Sequence, residues 1–456
     1  MIELAKGAVA ATLAAGATDA EAYASEDARR EVRVHGGEVE SLTAATQLGI
    51  GVRAWVGARA GYAFGTDLSE VGLAAIGARA AEAARVADED EFAAPPDLPV
   101  RLLHPTGAKG APEAELVDPS LGAWSSAEIA ELALAVERAA LAADGRVAGV
   151  EQAVYADSAE RIALVSSTGI GGEYERSSCY AYVQALAEDG DGRETGLGFD
   201  LGRGPAALDP TAIGREGAER ATAMIGAVKP GSRSCPVVLD PTVAASFVGL
   251  VGRGLGAGAV QRGRSPFAGK VGAALATTAF VLHDDGLDPK GPASAPFDGE
   301  GLPRRRTALI EEGTLHTYLF DTYTARRGGA SSTGNAGRGG YRSRPSVAPS
   351  NLIVAPGPLG FDELLRTAGD GVCVTDVAGL HSGVNPVSGV FSVGASGRAI
   401  RNGELAEPLR EFTIAGDLTS LLGSVQVVGD EPRWVPFGGS VSTPALLVAG
   451  MTVAGS

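Results

Sequence analysis

The chain is poor in several residue classes, and each shortage excludes something. Only three cysteines, Cys179, Cys235 and Cys373, occur in 456 residues. Their number is odd, their spacing wide, and no C-x-x-C is present, which argues against a disulfide framework and for a reducing compartment. Aromatic residues make up 5%, too few for a ladder of bases stacked on rings. Positive charge is also short: 38 Lys and Arg stand against 55 Asp and Glu, a formal net charge of −17. A field of that sign repels phosphate backbones and anionic lipid. The arginines that could make a local patch are Arg304, Arg305 and Arg306, and those of the loop 326–344: Arg326, Arg327, Arg338, Arg342 and Arg344. They read as solvated side chains or local carboxylate contacts. No apolar run reaches the roughly 18 residues of a membrane helix. The alanine-rich start carries Glu3 and is followed at once by Asp19 and Glu21, so it reads as a surface helix and not a signal segment. The expectation is a cytoplasmic protein that binds neither nucleic acid nor membrane.

The usual signatures of chemistry are missing too. The five histidines, His35, His104, His283, His316 and His381, include no pair at helical spacing, and H-E-x-x-H is absent. No serine sits in G-x-S-x-G. The glycine-rich stretch "FVGLVGRGLGAGAVQRGRS" (247–265) contains a loose G-x-G-x-x-A at Gly254, Gly256 and Ala259. A dinucleotide site needs those glycines between a strand and the start of a helix. Here "CPVVLD" and the helix-start pair Asp240-Pro241 precede them, so the helix begins too early. "GRSPFAGKVG" fails as a phosphate loop because five residues separate Gly263 from Gly269 and Val271 follows Lys270.

What is present suggests an α+β protein: an N-terminal α/β sandwich-like region and a β-rich C-terminal domain. The expected divisions are a first α+β domain at 1–90, a linker at 91–120, a central α+β domain at 121–230 and the β-rich domain at 231–456. Ser125 with Glu128 forms a capping box. Asp209-Pro210 and Asp240-Pro241 are repeated helix starts. Hairpins are expected across Glu311 to Gly313 and across Asn402-Gly403.

Several runs together resemble the TldD/PmbA family: "AVQRGRSPFAGKVG" (259–272), "APFDGEGLPRRRTALIEEGTLHTYLFDTYTARR" (295–327), "SSTGNAGRGGYRSRPSVAPSNLIV" (331–354) and "GLHSGVNPVSGVFSVGASGRAIRNGELAEPLREFTIAGDL" (379–418). The resemblance implies a PmbA/TldD-like fold and a two-part zinc metallopeptidase. In that family one subunit, TldD, holds zinc through H-E-x-x-x-H and a late cysteine, and the other, PmbA or TldE, lacks the motif. Aligned through "GRSPFAGK", the motif positions fall on Val248, Gly249 and Arg253. Valine has no lone pair, glycine no side chain, and a guanidinium is a permanent cation. No cysteine follows Cys373, and 241–265 contains no His, Cys, Asp or Glu. This chain therefore resembles the non-catalytic branch, with no metal or cofactor of its own and zinc expected only in a TldD-like partner. The implied partners are that subunit and a peptide substrate, with a homodimer in isolation as a further possibility. Asn335, Arg338, His381 and Asn385 are the polar candidates for meeting peptide or partner. The alternative is an independent hydrolase or biosynthetic enzyme with a site elsewhere, using His381, His283 and Arg338.

Overall fold

The computed structural model describes residues 1–96, 116–190, 192–436 and 439–455. Most of the expected linker, His104 included, lies outside the described residues.

Helix α1 (Ile2–Ala14) leads into β1 (Asp19–His35), β2 (Glu38–Val56) and β3 (Arg59–Gly65), and α2 (Glu70–Val86) closes the unit. Helix α3 (Ser126–Ala143) then leads into β4 (Val147–Ser166), β5 (Gly171–Asp189) and β6 (Gly192–Gly202), closed by α4 (Pro210–Thr222). The two units share one order, helix, three strands, helix. They join back to back into a single antiparallel sheet ordered β3-β2-β1-β4-β5-β6. The divisions 1–90 and 121–230 thus each supply half of one sheet. The join is the β1–β4 pairing, which runs from Glu21 opposite Ser166 to Val34 opposite Ala153.

Local chemistry explains the helices. Ser125 Oγ accepts from Glu128 N at 3.3 Å, and the Glu128 carboxylate accepts from Ser125 N at 2.7 Å. Asp209 accepts from the Thr211 and Ala212 amides. All four helices pack on one face of the sheet. That approach depends on strand glycines: a Cβ at Gly198 would lie 2.1 Å from the Ile213 carbonyl oxygen of α4, and one at Gly61 2.1 Å from the Ala80 carbonyl oxygen of α2.

The C-terminal half begins with β7 (Arg233–Leu239), α5 (Pro241–Gly254) and α6 (Ala257–Gln261). Next come β8 (Leu282–Asp285), β9 (Arg306–Glu311), β10 (Thr314–Leu315), α7 (Thr322–Gly328), β11 (Ala336–Gly337), β12 (Ser346–Val347) and β13 (Asn351–Val354). Helix α8 (Phe361–Ala368), β14 (Gly371–Ala378), α9 (Leu380–Gly383), β15 (Val390–Arg401) and β16 (Glu404–Asp417) follow. The chain ends with α10 (Leu418–Gly423), β17 (Val425–Val428), β18 (Arg433–Val435), β19 (Ser440–Thr443) and β20 (Leu446–Ala454). Strands β16-β15-β14-β7-β20 run side by side, and β16 also pairs with β20, so these five close into a barrel with β17 attached. A second sheet is ordered β10-β9-β8-β13-β19-β18. The expected hairpins occur at the β9–β10 and β15–β16 turns. Asn402 and Gly403 both have positive φ, as a two-residue type I′ turn requires. The main core fills the space between barrel and second sheet, with α5 embedded in it.

Candidate functional site

Helix α5 carries the three positions, Val248, Gly249 and Arg253, onto which the family resemblance places the zinc motif, and its start is firmly set. Asp240 Oδ1 accepts from Thr242 N at 2.7 Å, and Pro241 occupies the first turn. The second Asp240 oxygen takes Arg220 of α4 at 2.8 Å. Arg220 also pairs with Glu216, and Glu216 with Arg433 of β18. This chain of alternating charges ties the four-helix face to the head of α5.

Along α5 the three motif positions diverge. Val248 is 2% exposed within the apolar core, Gly249 is buried, and Arg253 lies at the surface. Gly252 lets the helix approach β13 closely, since a Cβ there would lie 2.2 Å from Leu352 Cδ1. None of these groups is a zinc donor, so the positions do not fit that ion. Among the described residues, no cluster of three His, Cys, Asp or Glu could hold a metal.

The four polar candidates split into two separate pairs. Asn335 is 1% exposed, and its Nδ2 donates to Asp284 at 2.7 Å. The Arg338 side chain is also buried: its Nε donates to the Gly299 carbonyl at 2.6 Å, its Nη2 donates to Glu21, and its cation lies 4.7 Å from the Tyr23 ring centroid. Both side chains are occupied inside the protein, so as folded neither presents a polar group to an incoming peptide. His381 and Asn385 are exposed, on α9 and the turn after it. Asn385 accepts from the Val387 and Ser388 amides, a turn-forming role. His283 lies elsewhere on β8, where burial and then nearby Arg306 hold its imidazole below the ordinary value. Among the described residues no hydrogen bond joins His283, Arg338 and His381 to one another.

The loop 326–344 turns most of its described arginines to internal work. Arg326 donates to the carbonyls of Ala94 and Pro95, at the edge of the linker. Arg342 and Arg344 lie over the rings of Tyr341 and Tyr62. The loop thus seals the C-terminal half against the first unit.

Sequence reasoning missed the charged seam at the centre of that contact. Arg53 on β2 pairs with Glu21 on β1 and reaches Glu300 at 3.0 Å. Burial works against the Arg53 charge, but Glu21 and Glu300 outweigh it and hold the guanidinium above its ordinary value. Beside Glu300, Asp298 accepts three main-chain amides, from Glu300, Leu302 and Ala336. Burial, then the Glu300 charge, push its carboxyl up to about 7. An unfolded aspartate titrates near 3.9, so between those values the folded state holds a proton that the unfolded chain has released. The stability this contributes is fully present below the unfolded value and is lost as pH rises through about 7. Wild-type stability relative to Asp298→Asn should therefore fall between about pH 4 and 7. Urea titrations across that range check it, and a flat difference would show the carboxyl ionised throughout. No motif could have revealed the seam, because its members are far apart in sequence and each looks like an ordinary surface charge.

Comparison with known proteins gives a consistent picture. Family profiles match in order along the chain: PmbA/TldA metallopeptidase domain 1 over residues 20–87, the central domain over 119–225 and the C-terminal domain over 232–455. Metalloprotease PmbA of Escherichia coli O157:H7 is 30% identical over 451 residues, covering 96% of this chain and 94% of that protein. A TldD homolog of Haemophilus influenzae is 25% identical over 90% of this chain and 87% of its own length. Among solved structures, a proposed modulator of a DNA gyrase from Thermotoga maritima superposes with a TM-score of 0.87 at 27% identity, covering 99% of both chains. TldE from Thermococcus kodakarensis superposes at 0.88 over 99% of this chain and 100% of its own, and its 22% identity makes it a match of fold.

Proposed function

This chain belongs to the PmbA/TldD metallopeptidase family, and from that premise we propose that it is a non-catalytic, TldE-like subunit that pairs with a TldD-like zinc peptidase to process or degrade peptides. One observation carries the proposal. At the three positions where zinc-binding relatives place ligand, base and ligand, this chain has Val248, Gly249 and Arg253, with Val248 sunk in the core and Arg253 at the surface. A valine cannot donate an electron pair, and a guanidinium cannot release its charge to do so. The absence of any cysteine after Cys373 removes the remaining donor. What the chain keeps is a scaffold: a sheet, a barrel and a buried seam that holds them in register.

In this role the chain contributes surface and shape. The zinc-activated water belongs to the partner, and this subunit helps enclose the peptide. No helix among the described residues is long and apolar enough to cross a membrane. The test is to purify the chain alone and measure bound zinc and peptidase activity, then repeat with a TldD-like protein from the same source. The expected result is neither zinc nor activity alone and robust cleavage in the mixture. Zinc-dependent cleavage by the lone chain, lost in His381→Ala, would overturn the proposal and favour the independent enzyme.

A further inference from the structure

A cleft of about 530 Å³ lies where β5 and β6 meet the C-terminal half. Small-molecule sites run to roughly 300–1,000 Å³ and occur preferentially at such junctions. Ser178 and Tyr180 of β5, Leu201 of β6 and Trp434 of β18 line it. Pro289, Pro292 and Pro432 complete the apolar lining. Their fixed φ leaves little backbone freedom to lose when a ligand enters. The charges here are one-sided. Arg203, just past the end of β6, donates to the carbonyls of Ser177 at 3.2 Å and Gly291 at 2.6 Å, bridging the two halves. It forms no ion pair among the described residues. Burial, and then neighbouring Arg176, hold its guanidinium below the ordinary value. Lys290, exposed on the same lining, has no ion pair or side-chain hydrogen bond among the described residues either. The third lining cation, Arg433, is taken by Glu216. Among the described residues of the lining, the carboxylate is Asp200. It stands two positions from Gly198, whose Cβ would meet α4, so strand alternation sends it to the helix face.

We infer that this cleft binds a small organic anion with a flat apolar body, its carboxylate or phosphate held by Arg203 and Lys290 and its ring set against Trp434. In a chain with 55 acidic and 38 basic residues, cations left without a carboxylate are the exception. A partly buried cation without a counter-charge is costly, and a bound anion relieves that cost. A guanidinium whose remaining N–H groups form a planar fork suits an oxyanion. Trp434 is half-buried, and its indole N–H meets no acceptor among the described residues. It therefore offers both a ring face and a free donor to a ligand. The Tyr180 hydroxyl is likewise without a partner among the described residues. This inference does not rest on the peptidase-partner proposal.

Calorimetric titration of the full chain with phenylacetate, phenyl phosphate and benzyl alcohol tests it. The three probes share one ring and differ in charge. At least one of the two anions should bind about tenfold or more tighter than the neutral alcohol. Whichever anion binds tighter identifies the group the cations hold. Lys290→Glu reverses a charge on an exposed side chain and should weaken that anion about tenfold or more, leaving benzyl alcohol unchanged. Trp434→Ala should weaken the anion and the alcohol alike, since it removes the ring surface both use. Thermal melts without probe confirm that each variant is folded. Anions that bind no tighter than benzyl alcohol overturn the proposal. So does anion binding that Lys290→Glu or Trp434→Ala leaves unchanged, since that would place the ligand elsewhere on the chain.

Discussion

Arg338→Ala should cost about 3–5 kcal/mol of stability, the range for removing one partner of a buried ion pair. Arg338 and Glu21 are each about 1% exposed at their side chains. Glu21 also takes Arg53, but Arg53 is shared with Glu300. Without Arg338, one guanidinium faces two buried carboxylates, and the surplus negative charge has no water to solvate it. The Gly299 carbonyl loses its donor and the Tyr23 ring loses its cation in the same step. The seam joins β1 and β2 to the 298–300 and 338–344 segments, so the damage is to the union of the two halves. Urea unfolding should show a lower midpoint and, if the halves separate, a second transition. Glu21→Gln in the Arg338→Ala background should recover part of the loss, because it removes the stranded charge. A loss under about 1 kcal/mol would place this pair with exposed salt bridges and refute the seam as a structural lock.

Phe247→Ala is expected to cost a similar amount, about 3–5 kcal/mol, as large-to-small aromatic changes in a core do. Phe247 is 1% exposed, and its ring centroid lies 4.9 Å from that of Phe391 on β15. It pins α5 to the barrel one residue before Val248. The cavity left behind cannot collapse easily, because the barrel behind it is closed. Phe391→Ala should be less damaging in the Phe247→Ala background than in wild type, with a coupling of about 0.5–1.5 kcal/mol for the ring pair. If Phe247→Ala changes the unfolding midpoint only slightly, α5 is not the buried strut described above. The proposed pairing with a TldD-like subunit offers a second readout: under that proposal a loosened α5 should weaken assembly as well as stability.

How much was legible in the sequence differs by element. The capping box at Ser125 and the Asp-Pro helix starts at 209 and 240 involve neighbours a few residues apart, so sequence fixes them and the structure agrees. The same holds for the hairpin at Asn402-Gly403, where the turn itself demands two positive φ angles. The lack of His, Cys, Asp and Glu over 241–265 was legible too, because it depends on residue identity alone. The doubled helix–strand–strand–strand–helix unit was not. Its halves match in topology, and the β1–β4 pairing that unites them links residues more than 100 positions apart.

The polar candidates mark the limit most clearly. From sequence, Asn335, Arg338, His381 and Asn385 are equivalent: polar residues in glycine-rich loops. Only the folded chain separates them, by bringing Glu21 and Asp284 to the first pair and leaving the second pair in solvent. By itself the sequence determined the family, the order of many local elements and the lack of zinc donors on α5, since these depend on residue type and near neighbours. Burial, the charged seam and the cleft at Arg203 were decided by tertiary structure alone. Each depends on which distant segment occupies the other side of a side chain or strand, and no local pattern encodes that.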